Sequence, residues 1–295
     1  MTEVKKVKFQ ERNIKIMKDL SNENVIHIVK DGVQYLQFRR LLEYSDILVH
    51  AYSLGIDKNF RTARAKTAEP ITKEEFKEAN KDYADLCNAI EMNYIDAVKP
   101  NQAHTKNVKK VDEHVNINKP DFNLKEYDLT DGLITNKSNI LLATTNADCI
   151  LLMFFDPVKK AIANVHSGWK GTLQRISVET VEKMRKEYGS NSKDIICCIC
   201  PSIRKCHFEV EKDVQTLFEN EFKDLKLDEI IERKSENKWL IDTVKINEEI
   251  LQKAGLKKEN IIDCGICSVC NSDLIHSYRV EKEKYGLSTA IIGLK

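Results

Sequence analysis

The chain of 295 residues is long enough to bury a full hydrophobic core, as one large domain or two small ones. Its 47 lysines and arginines are balanced by 46 aspartates and glutamates, so its charge gives no reason to expect nucleic acid or an anionic membrane as a partner. No apolar run approaches the length of about 18 residues that a membrane span needs. The N-terminus lacks the apolar region of a signal peptide, so the nine cysteines are expected to be reduced thiols in a cytoplasmic protein.

Short β-strands are predicted for the first part of the chain. Val25–Val29 and Val33–Phe38 flank Asp31-Gly32, a dipeptide typical of a tight hairpin turn. Ile47–Leu54 is a further predicted strand. We predict a single domain over residues 1–295, in which roughly residues 1–30 form a β-rich extension.

Helices and strands interleave irregularly over the rest of the chain. Thr72 and Glu75 form a capping box, which predicts a helix from Thr72 to about Ile90. Further helices are predicted at Thr172–Tyr188, Lys212–Glu219 and Thr243–Ala254, and further strands at Ile95–Val98, Asp131–Thr135, Ile140–Thr144, Asp194–Cys200, Leu240–Asp242, Ile261–Asp263 and Ser288–Leu294. This order favours an α+β fold over a regular parallel βαβ arrangement.

A β-hairpin is predicted in the middle of the chain. Ile150–Phe155 and Ala161–Val165 are apolar runs joined by Asp156-Pro157-Val158-Lys159, and Asp-Pro is a turn signal. If the turn is tight, Cys149 faces His166 across the open end of the hairpin, and a longer loop shifts this pairing slightly. The hairpin therefore brings a thiol and an imidazole together.

His104, Cys149 and His166 are the residues best suited to carry chemistry as a set. Two imidazoles and a thiolate can bind Zn²⁺ and leave a fourth position open, which is the pattern of a catalytic zinc site. The three residues are scattered along the chain, so a metal-free alternative stays open in which Cys149 is a nucleophile and His166 its base. A purely structural role is also open, in which the thiol is simply buried beside a histidine whose hydrogen bonds are satisfied.

A second candidate metal site is the CxxCxxC run Cys264–Cys270. A structural zinc or iron–sulfur site needs four ligands, and Cys206 or His276 could complete the set. The alternative is a thiol-rich turn packed against the core. His207-Phe208-Glu209 upstream of the run also resembles the signature of zinc deaminases, but Asp263 stands where that signature has proline, which disfavours this interpretation.

Several short motifs occur in the order in which a known protein family carries them. They are Gln102-Ala103-His104, Asp131–Thr135, Ala147-Asp148-Cys149, Asp156-Pro157, His166–Gly171, Pro201-Ser202-Ile203, Cys206–Val210, Cys267–Asn271 and Ser277-Tyr278-Arg279. Together they resemble the YfiH/laccase-domain family, whose central motif reads A-D-C…D-P…H-A-G-W-R-G, and the resemblance runs from about Val33 to the C-terminus. The family has been described as multicopper polyphenol oxidoreductase, as purine nucleoside phosphorylase and as peptidoglycan editing factor.

The resemblance implies an α+β fold, a four-layer α-β-β-α pseudo-sandwich of mixed sheets flanked by helices. It also implies that His104, Cys149 and His166 are the metal-binding and catalytic residues, with Zn²⁺ as the expected metal and Cu²⁺ as the alternative. The implied reaction is phosphorolysis of adenosine, inosine and methylthioadenosine to the free base and ribose 1-phosphate, accompanied by adenosine deamination. The alternatives are a copper-dependent polyphenol oxidase and a cell-wall editing role with incidental nucleoside activity.

Lys170, Arg279 and Asp148 are the predicted substrate-binding residues. Lys170 stands where the family carries arginine, so it keeps the positive charge and loses the bidentate fork of a guanidinium. Arg279 is the second candidate for binding an anion, and Asp148 lies beside Cys149. The expected partners are purine nucleosides and phosphate, without nucleic acid or membrane, and a homodimer is left as an open expectation.

Overall fold

Two six-stranded β-sheets face each other in the computed structural model, which describes residues 18–61, 80–93, 97–113 and 127–295. The first sheet contains, in spatial order, β1 (Val25–Lys30), β2 (Val33–Phe38), β3 (Leu48–Leu54), β15 (Ser288–Leu294), β7 (Leu141–Asn146) and β4 (Ala97–Val98). The second contains β14 (Ile261–Asp263), β10 (Ile196–Ile199), β8 (Ile150–Asp156), β9 (Ala161–Ser167), β6 (Gly132–Thr135) and β5 (Val108–Lys110). Both sheets are mixed, because β4, β5 and β14 pair in parallel and the other pairs are antiparallel.

Helices cover the outer face of each sheet. On the first sheet lies α2 (Lys81–Ala89), and on the second lie α4 (Ile176–Tyr188) and α7 (Thr243–Lys253). The other α-helices of the described residues are α1 (Arg39–Leu42), α3 (Trp169–Leu173), α5 (Lys212–Glu221), α6 (Leu227–Ile230) and α8 (Tyr278–Glu281). A small third sheet contains, in spatial order, β11 (Glu209–Val210), β13 (Lys238–Ile241) and β12 (Ile231–Ser235). This α-β-β-α arrangement confirms the predicted α+β sandwich. No helix among the described residues is long and apolar enough to cross a membrane.

The central strand β8 has both faces buried, which explains its uninterrupted apolar sequence. Leu151, Met153 and Phe155 point into the core between the two sheets. Leu152 and Phe154 point the other way, toward α4 and α7. Each fully buried side chain of this size contributes about 1.5–3 kcal/mol, so the hairpin that β8 forms with β9 is a rigid support for whatever lies at its end.

The predicted hairpin at the start of the described chain is present. Strands β1 and β2 are antiparallel, and Lys30 pairs with Val33. Asp31 and Gly32 between them have φ values of 53° and 78°, the left-handed conformation that a type I′ turn requires and that Asp-Gly adopts readily. Residues 1–17 lie outside the described residues, so the predicted β-rich extension stays a prediction.

Two helix boundaries differ from the sequence prediction. The helix predicted from Thr172 to Tyr188 is two helices, because the left-handed φ of 56° at Arg175 separates α3 from α4. The N-cap of α7 is Asp242, whose carboxylate accepts the backbone N–H of Lys245 at 2.9 Å. Asp242 therefore caps this helix, and the prediction that Thr243 is its N-cap is wrong. The predicted helix start at Thr72 lies outside the described residues, as does the start of the strand predicted at Ile95–Val98.

His50 on β3 is buried in the first sheet and serves as a hydrogen-bond acceptor. It is 1% exposed, and its Nε2 accepts the backbone N–H of Phe38 at 2.7 Å. Burial lowers the pKa of His50 to about 3. The folded protein therefore keeps this imidazole neutral at pH values where the unfolded chain protonates it.

Acidification from about pH 7 to about pH 4.5 is expected to lower the free energy of unfolding through His50 by about 2–3 kcal/mol. The contribution of the neutral imidazole is present above the unfolded pKa of about 6.5 and is lost as the pH falls toward the folded value, because only the unfolded state takes up the proton. Urea unfolding of the parent and of His50→Gln at both pH values tests this. The contribution of His50 is the amount by which the free energy of unfolding falls further in the parent than in the variant. An equal pH dependence in both proteins would contradict the prediction.

Candidate active site

Cys149 and His166 lie at the open end of the hairpin formed by β8 and β9. Its loop spans Pro157–Lys160, longer than the tight turn that was predicted, and Leu151 rather than Cys149 pairs with His166. The predicted direct pairing is therefore wrong. Continuing the register places Cys149 opposite Gly168, which leaves the thiol diagonal to His166 on the same face of the sheet. Diagonal cross-strand neighbours remain within reach of long side chains, so the two groups still meet.

His104 joins this pair from the loop that precedes β5. Its Nε2 lies 3.9 Å from Cys149 Sγ, and its ring meets the ring of His166 edge-on with centroids 4.9 Å apart. The three ligand atoms lie within 4.8 Å of one another. Thus the structure brings together the three predicted ligands around one point.

Gly168 allows the imidazole and the thiol to approach the backbone. A Cβ atom at this position would lie 2.7 Å from His104 Cδ2 and 3.2 Å from Cys149 Sγ, closer than packed side chains tolerate. The φ of Gly168 is −61°, so the requirement for glycine is one of space. The glycine after the hairpin is therefore part of the site.

Asp131, which precedes β6, supports both histidines and was not predicted as a site residue. Its Oδ1 accepts hydrogen bonds from His166 Nδ1 at 2.8 Å and from the backbone N–H of His104 at 3.0 Å. Its Oδ2 accepts from the backbone N–H and the hydroxyl of Thr105, at 2.7 and 2.8 Å. This buried carboxylate fixes the ring of His166 and the loop that carries His104, whose φ is a left-handed 60°. The signal available in the sequence was a carboxylate directly before a buried strand.

The three groups shift one another's pKa values strongly. Burial would raise the pKa of the Cys149 thiol, but the charge of His166 and a hydrogen bond with His104 outweigh it and lower the pKa to about 6. Burial would lower the pKa of His166, but the Cys149 thiolate and Asp131 raise it to about 9. Burial likewise opposes ionisation of Asp131, yet His166 and Thr105 lower its pKa to about 2. These shifts favour a Cys149 thiolate beside a protonated His166; a metal ion needs the thiolate and would displace a proton from the His166 ring.

This donor set fits one metal ion. A thiolate and two imidazoles are three of the ligands that catalytic zinc sites use, and a fourth position stays open for water or substrate. Asp131 holds Nδ1 of His166, which leaves Nε2 as the ring nitrogen that can bind, and metal-binding histidines commonly have such a carboxylate partner. Soft thiolate and borderline imidazole ligands suit Zn²⁺ and copper.

A cavity of about 1120 Å³ opens beside the three residues, and His104, Cys149 and His166 form part of its wall. The aromatic residues on the wall are Phe60, Trp169, Phe208, Tyr278 and Tyr285, and the cationic ones are Arg61, Lys238 and Arg279. This volume slightly exceeds the upper end of the range of about 300–1,000 Å³ that is usual for ligand pockets. It is large enough for a small organic molecule together with a small anion.

The three predicted substrate-binding residues differ in where they lie. Arg279 and Asp148 line the cavity. Both carboxylate oxygens of Asp148 bind within the protein: Oδ1 accepts from Ser268 Oγ at 2.6 Å and Oδ2 from the backbone N–H of Arg279 at 2.7 Å. Lys170 is exposed with its ammonium 5.4 Å from the centre of the Trp169 ring, and it is not among the described residues that form the wall. Substrate contacts by these residues stay predictions.

The sandwich, the cavity and the His-Cys-His set define an α+β protein with a pocket suited to a metal ion and a small molecule. Residues 71–295 match the family model described as multi-copper polyphenol oxidoreductase laccase, and the chain belongs to this family. Purine nucleoside phosphorylase YlmD of Bacillus subtilis (strain 168) is 34% identical over 166 residues, 56% of this chain and 59% of that protein. Purine nucleoside phosphorylase LACC1 of Homo sapiens is 31% identical over 175 residues, 58% of this chain and 40% of that protein. The match thus spans 59% and 40% of the length of these curated relatives.

Solved structures share the fold. The crystal structure of the Bacillus licheniformis hypothetical protein YfiH superimposes with a TM-score of 0.74 at 24% identity, over 90% of this chain and 100% of that one. YlmD from Geobacillus stearothermophilus superimposes with a TM-score of 0.75 at 20% identity, over 92% and 99%. These neighbours confirm the predicted resemblance to YfiH proteins and the architecture that it implied.

Proposed function

We propose that this protein is a zinc-dependent purine nucleoside phosphorylase that converts adenosine, inosine and methylthioadenosine to the free base and ribose 1-phosphate. The observation that carries the proposal is the cavity whose wall combines His104, Cys149 and His166 with aromatic and cationic side chains. Relatives that are named purine nucleoside phosphorylases support the same assignment.

His104, Cys149 and His166 would hold the zinc ion. When bound, zinc supplies Lewis-acid charge at the wall of the cavity. Asp131 keeps the His166 ring in one orientation through Nδ1, and the same carboxylate holds the backbone of His104. The chain thereby keeps its ligands in place before substrate arrives, so that little reorganisation is needed on binding.

The aromatic side chains provide a surface for the purine. Tyr278 and Tyr285 meet edge-on with centroids 5.2 Å apart, and Phe208 and Trp169 lie on the same cavity wall. Stacking of a base on an aromatic ring contributes about 1–3 kcal/mol and depends little on the identity of the base. Such a surface accepts adenosine, inosine and methylthioadenosine alike.

The cationic side chains of the wall provide a site for phosphate. In phosphorolysis an oxygen of phosphate bonds to C1′ of the ribose, the bond between C1′ and the purine nitrogen breaks, and the leaving base takes up a proton. We assign the phosphate to Arg279, because its backbone N–H is held by Asp148, the neighbour of Cys149. By contrast, Lys238 is already paired with Glu211 at 2.9 Å. The Arg279 guanidinium also donates to the carbonyl of Glu209 at 3.3 Å, which holds the side chain at the wall. A guanidinium binds phosphate through two parallel hydrogen bonds.

Adenosine deamination at the same site is the second part of the proposal. Water replaces the exocyclic amino group of the purine, and the products are inosine and ammonia. Deamination needs no phosphate, so an assay without phosphate measures deamination alone, without phosphorolysis. The wall that accepts the purine is the same for both reactions.

Copper-dependent oxidation of phenols is the alternative that the family description names. Multicopper chemistry needs several copper ions, and imidazole is their usual ligand. Within the part of the chain that is described, only His104 and His166 gather around Cys149. His27, His50 and His276 instead make hydrogen bonds within the protein. The ligands at the cavity therefore suffice for one ion.

Metal removal tests the proposal. The protein is stripped with a chelator under reducing conditions and reloaded with Zn²⁺ or Cu²⁺, and base release from adenosine is measured with and without phosphate. We expect adenine only with both zinc and phosphate, and inosine without phosphate. Cys149→Ala should not recover on reloading, whereas Cys87→Ala, which removes a buried thiol on α2, should recover.

Two outcomes would overturn the assignment. Base release by the stripped protein would point to the metal-free mechanism with Cys149 as nucleophile. Copper-dependent oxidation of a phenol, without base release under any loading, would favour the oxidase. The chelator also removes zinc bound elsewhere in the protein, so the comparison of variants assigns the effect to the cavity: zinc should restore base release to the parent and to Cys87→Ala but not to Cys149→Ala.

A further inference from the structure

A second group of metal-binding side chains lies apart from His104, Cys149 and His166. Its members are Cys206, His207, Cys267 and Cys270, whose ligand atoms all lie within 4.8 Å of one another. Cys206 Sγ is 3.7 Å from Cys267 Sγ and 4.0 Å from Cys270 Sγ. His207 Nδ1 is 3.2 Å from the sulfur of Cys206 and 3.6 Å from each of the other two.

These distances are close to those of a tetrahedral zinc site. With Zn–S bonds of about 2.3 Å and a Zn–N bond of about 2.0–2.1 Å, the ligand atoms of a tetrahedron lie about 3.8 Å apart for sulfur pairs and about 3.5 Å for sulfur and nitrogen. The measured separations agree with these values to within a few tenths of an ångström. We propose that Cys206, His207, Cys267 and Cys270 form a structural Zn²⁺ site, which we call the Cys₃His site.

The backbone assembles the Cys₃His site from two turns. Cys267 and Cys270 lie on one turn, in which Asn271 N–H donates to the carbonyl of Cys267 at 3.2 Å. His207 N–H donates to the carbonyl of Arg204 at 2.8 Å in the other turn. A parallel bridge connects the two segments, because Ser268 N–H donates to the carbonyl of Ser202 at 3.0 Å. The ligands are thus held together by hydrogen bonds that involve no side chain of the site.

These four ligands differ from those that the sequence suggested, which were the cysteines of the Cys264–Cys270 run with Cys206 or His276. Cys206 completes the site as expected, and its neighbour His207 supplies the imidazole in place of His276. Cys264, the first cysteine of the CxxCxxC run, is 1% exposed, and its sulfur accepts the N–H of Ile266 at 3.4 Å. His276 is held by the carbonyl of Lys58 at 2.6 Å. Neither is a ligand.

The composition of the site favours zinc over two alternatives. Four protein ligands close the coordination shell, which is typical of a structural rather than a catalytic zinc site. A disulfide would require two sulfurs about 2.05 Å apart and would leave the third thiol and the imidazole unexplained. Clusters of the [4Fe–4S] and plant [2Fe–2S] types use four thiolates, and this site offers three.

Zinc at the Cys₃His site would stabilise part of the cavity wall. Ile203 and Phe208, on either side of Cys206-His207, both line the cavity. On the other turn, Ser268 Oγ donates to Asp148, the residue next to Cys149. The ion would therefore fasten two loops that shape the pocket, independently of the reaction carried out there.

Zinc content and cobalt spectra test the site. The parent and Cys206→Ser are prepared under reductant with zinc, and we expect the variant to contain one zinc ion less per chain. The matched control Cys264→Ala removes a cysteine of the same run that is not a ligand, and it should keep its zinc. Reloaded with Co²⁺, Cys149→Ala should show the intense thiolate-to-cobalt absorption of the three sulfur ligands of the Cys₃His site. The parent should add the absorption of Cys149, and Cys206→Ser should lose most of the absorption.

A measurement on the unaltered protein covers the case in which the variant does not fold. Cys206 and Cys270 are exposed, so an alkylating agent can reach both sulfurs when they carry no metal. We expect zinc to protect both from alkylation, and a chelator to remove the protection, as read by mass spectrometry of their peptides. Rapid alkylation before the chelator is added, unchanged zinc in Cys206→Ser, an iron–sulfur chromophore or a disulfide between Cys206 and Cys267 would each overturn the proposal.

Discussion

Replacement of Asp131 by asparagine is expected to weaken zinc binding at His104, Cys149 and His166 by about 10–100-fold, as loss of a carboxylate partner does at other metal-bound histidines. The same change should lower the free energy of unfolding by about 3 kcal/mol or more, because an amide cannot accept every hydrogen bond that the carboxylate accepts. Asp131 is fully buried, so water cannot take over these bonds. The effect on stability should persist in metal-free protein.

Two measurements check this expectation. Competition with a chelator gives the zinc affinity, and urea unfolding of the metal-free protein gives the stability. Asp112→Asn is the matched control, because Asp112 forms a solvent-exposed ion pair with Lys110 at 2.9 Å, and such pairs contribute about 0–1 kcal/mol. Equal zinc affinity and stability in Asp131→Asn and Asp112→Asn would show that the buried carboxylate does not position the site.

The sequence predicts the long elements of the fold well because their apolar patterns are strong. The largely apolar sequences of β8 and β15, each of seven residues, favour buried strands, and both strands are completely buried. Strand β11 escapes prediction because it has only two residues, and β12 because its sequence, Ile231–Ser235, is mostly charged and exposed. Both pair with β13, which lies elsewhere in the chain for β11 and across a turn for β12. The break at Arg175 has no proline or glycine to announce it.

The register of the central hairpin shows the limit of local reasoning. The turn signal at Asp156-Pro157 is present, and the Asp156 carboxylate accepts the N–H groups of Val158 and Lys159 at 2.9 and 3.0 Å. The loop nevertheless extends to Lys160, whose φ is a left-handed 49°. This longer loop moves every pair along the strands. The thiol and the imidazole still meet, because Cys149 directly precedes β8 and its sulfur lies within 4.8 Å of the ligand atoms of His104 and His166.

The candidate site is predicted where residue type alone suggests chemistry and is missed where it depends on contacts between distant segments. The donor atoms of the site are recognisable from residue type in His104, Cys149 and His166. The family resemblance adds that these three residues act as one set. Asp131 serves a loop more than twenty residues earlier in the chain, as the separation of 26 positions between Thr105 and Asp131 shows. His207 likewise meets Cys267 across 60 positions. No periodicity in the sequence reports such pairs.

Gly168→Ala is expected to reduce the rate of base release by about 100-fold, because displacement of a catalytic group by roughly 1 Å has an effect of this size. The added methyl group would lie 2.7 Å from His104 Cδ2, 3.2 Å from Cys149 Sγ and 3.3 Å from His104 Nε2, so the imidazole must leave its present position. The backbone itself accepts alanine, since φ is −61° and ψ is 170°. We expect a loss of stability of about 1–3 kcal/mol, as in other overpacked sites.

Gly171→Ala is the control that separates this steric effect from any general intolerance of α3 to alanine. A Cβ atom at Gly171 would lie 3.4 Å from Ile176 Cγ2 and 3.5 Å from the carbonyl oxygen of Thr105, which are ordinary contacts. Its base release should stay close to that of the parent, and its zinc affinity should not change, whereas both should fall in Gly168→Ala. If Gly168→Ala instead kept full activity and zinc affinity, His104 would not need its place beside Cys149, and the proposed metal site at the cavity would have to be abandoned.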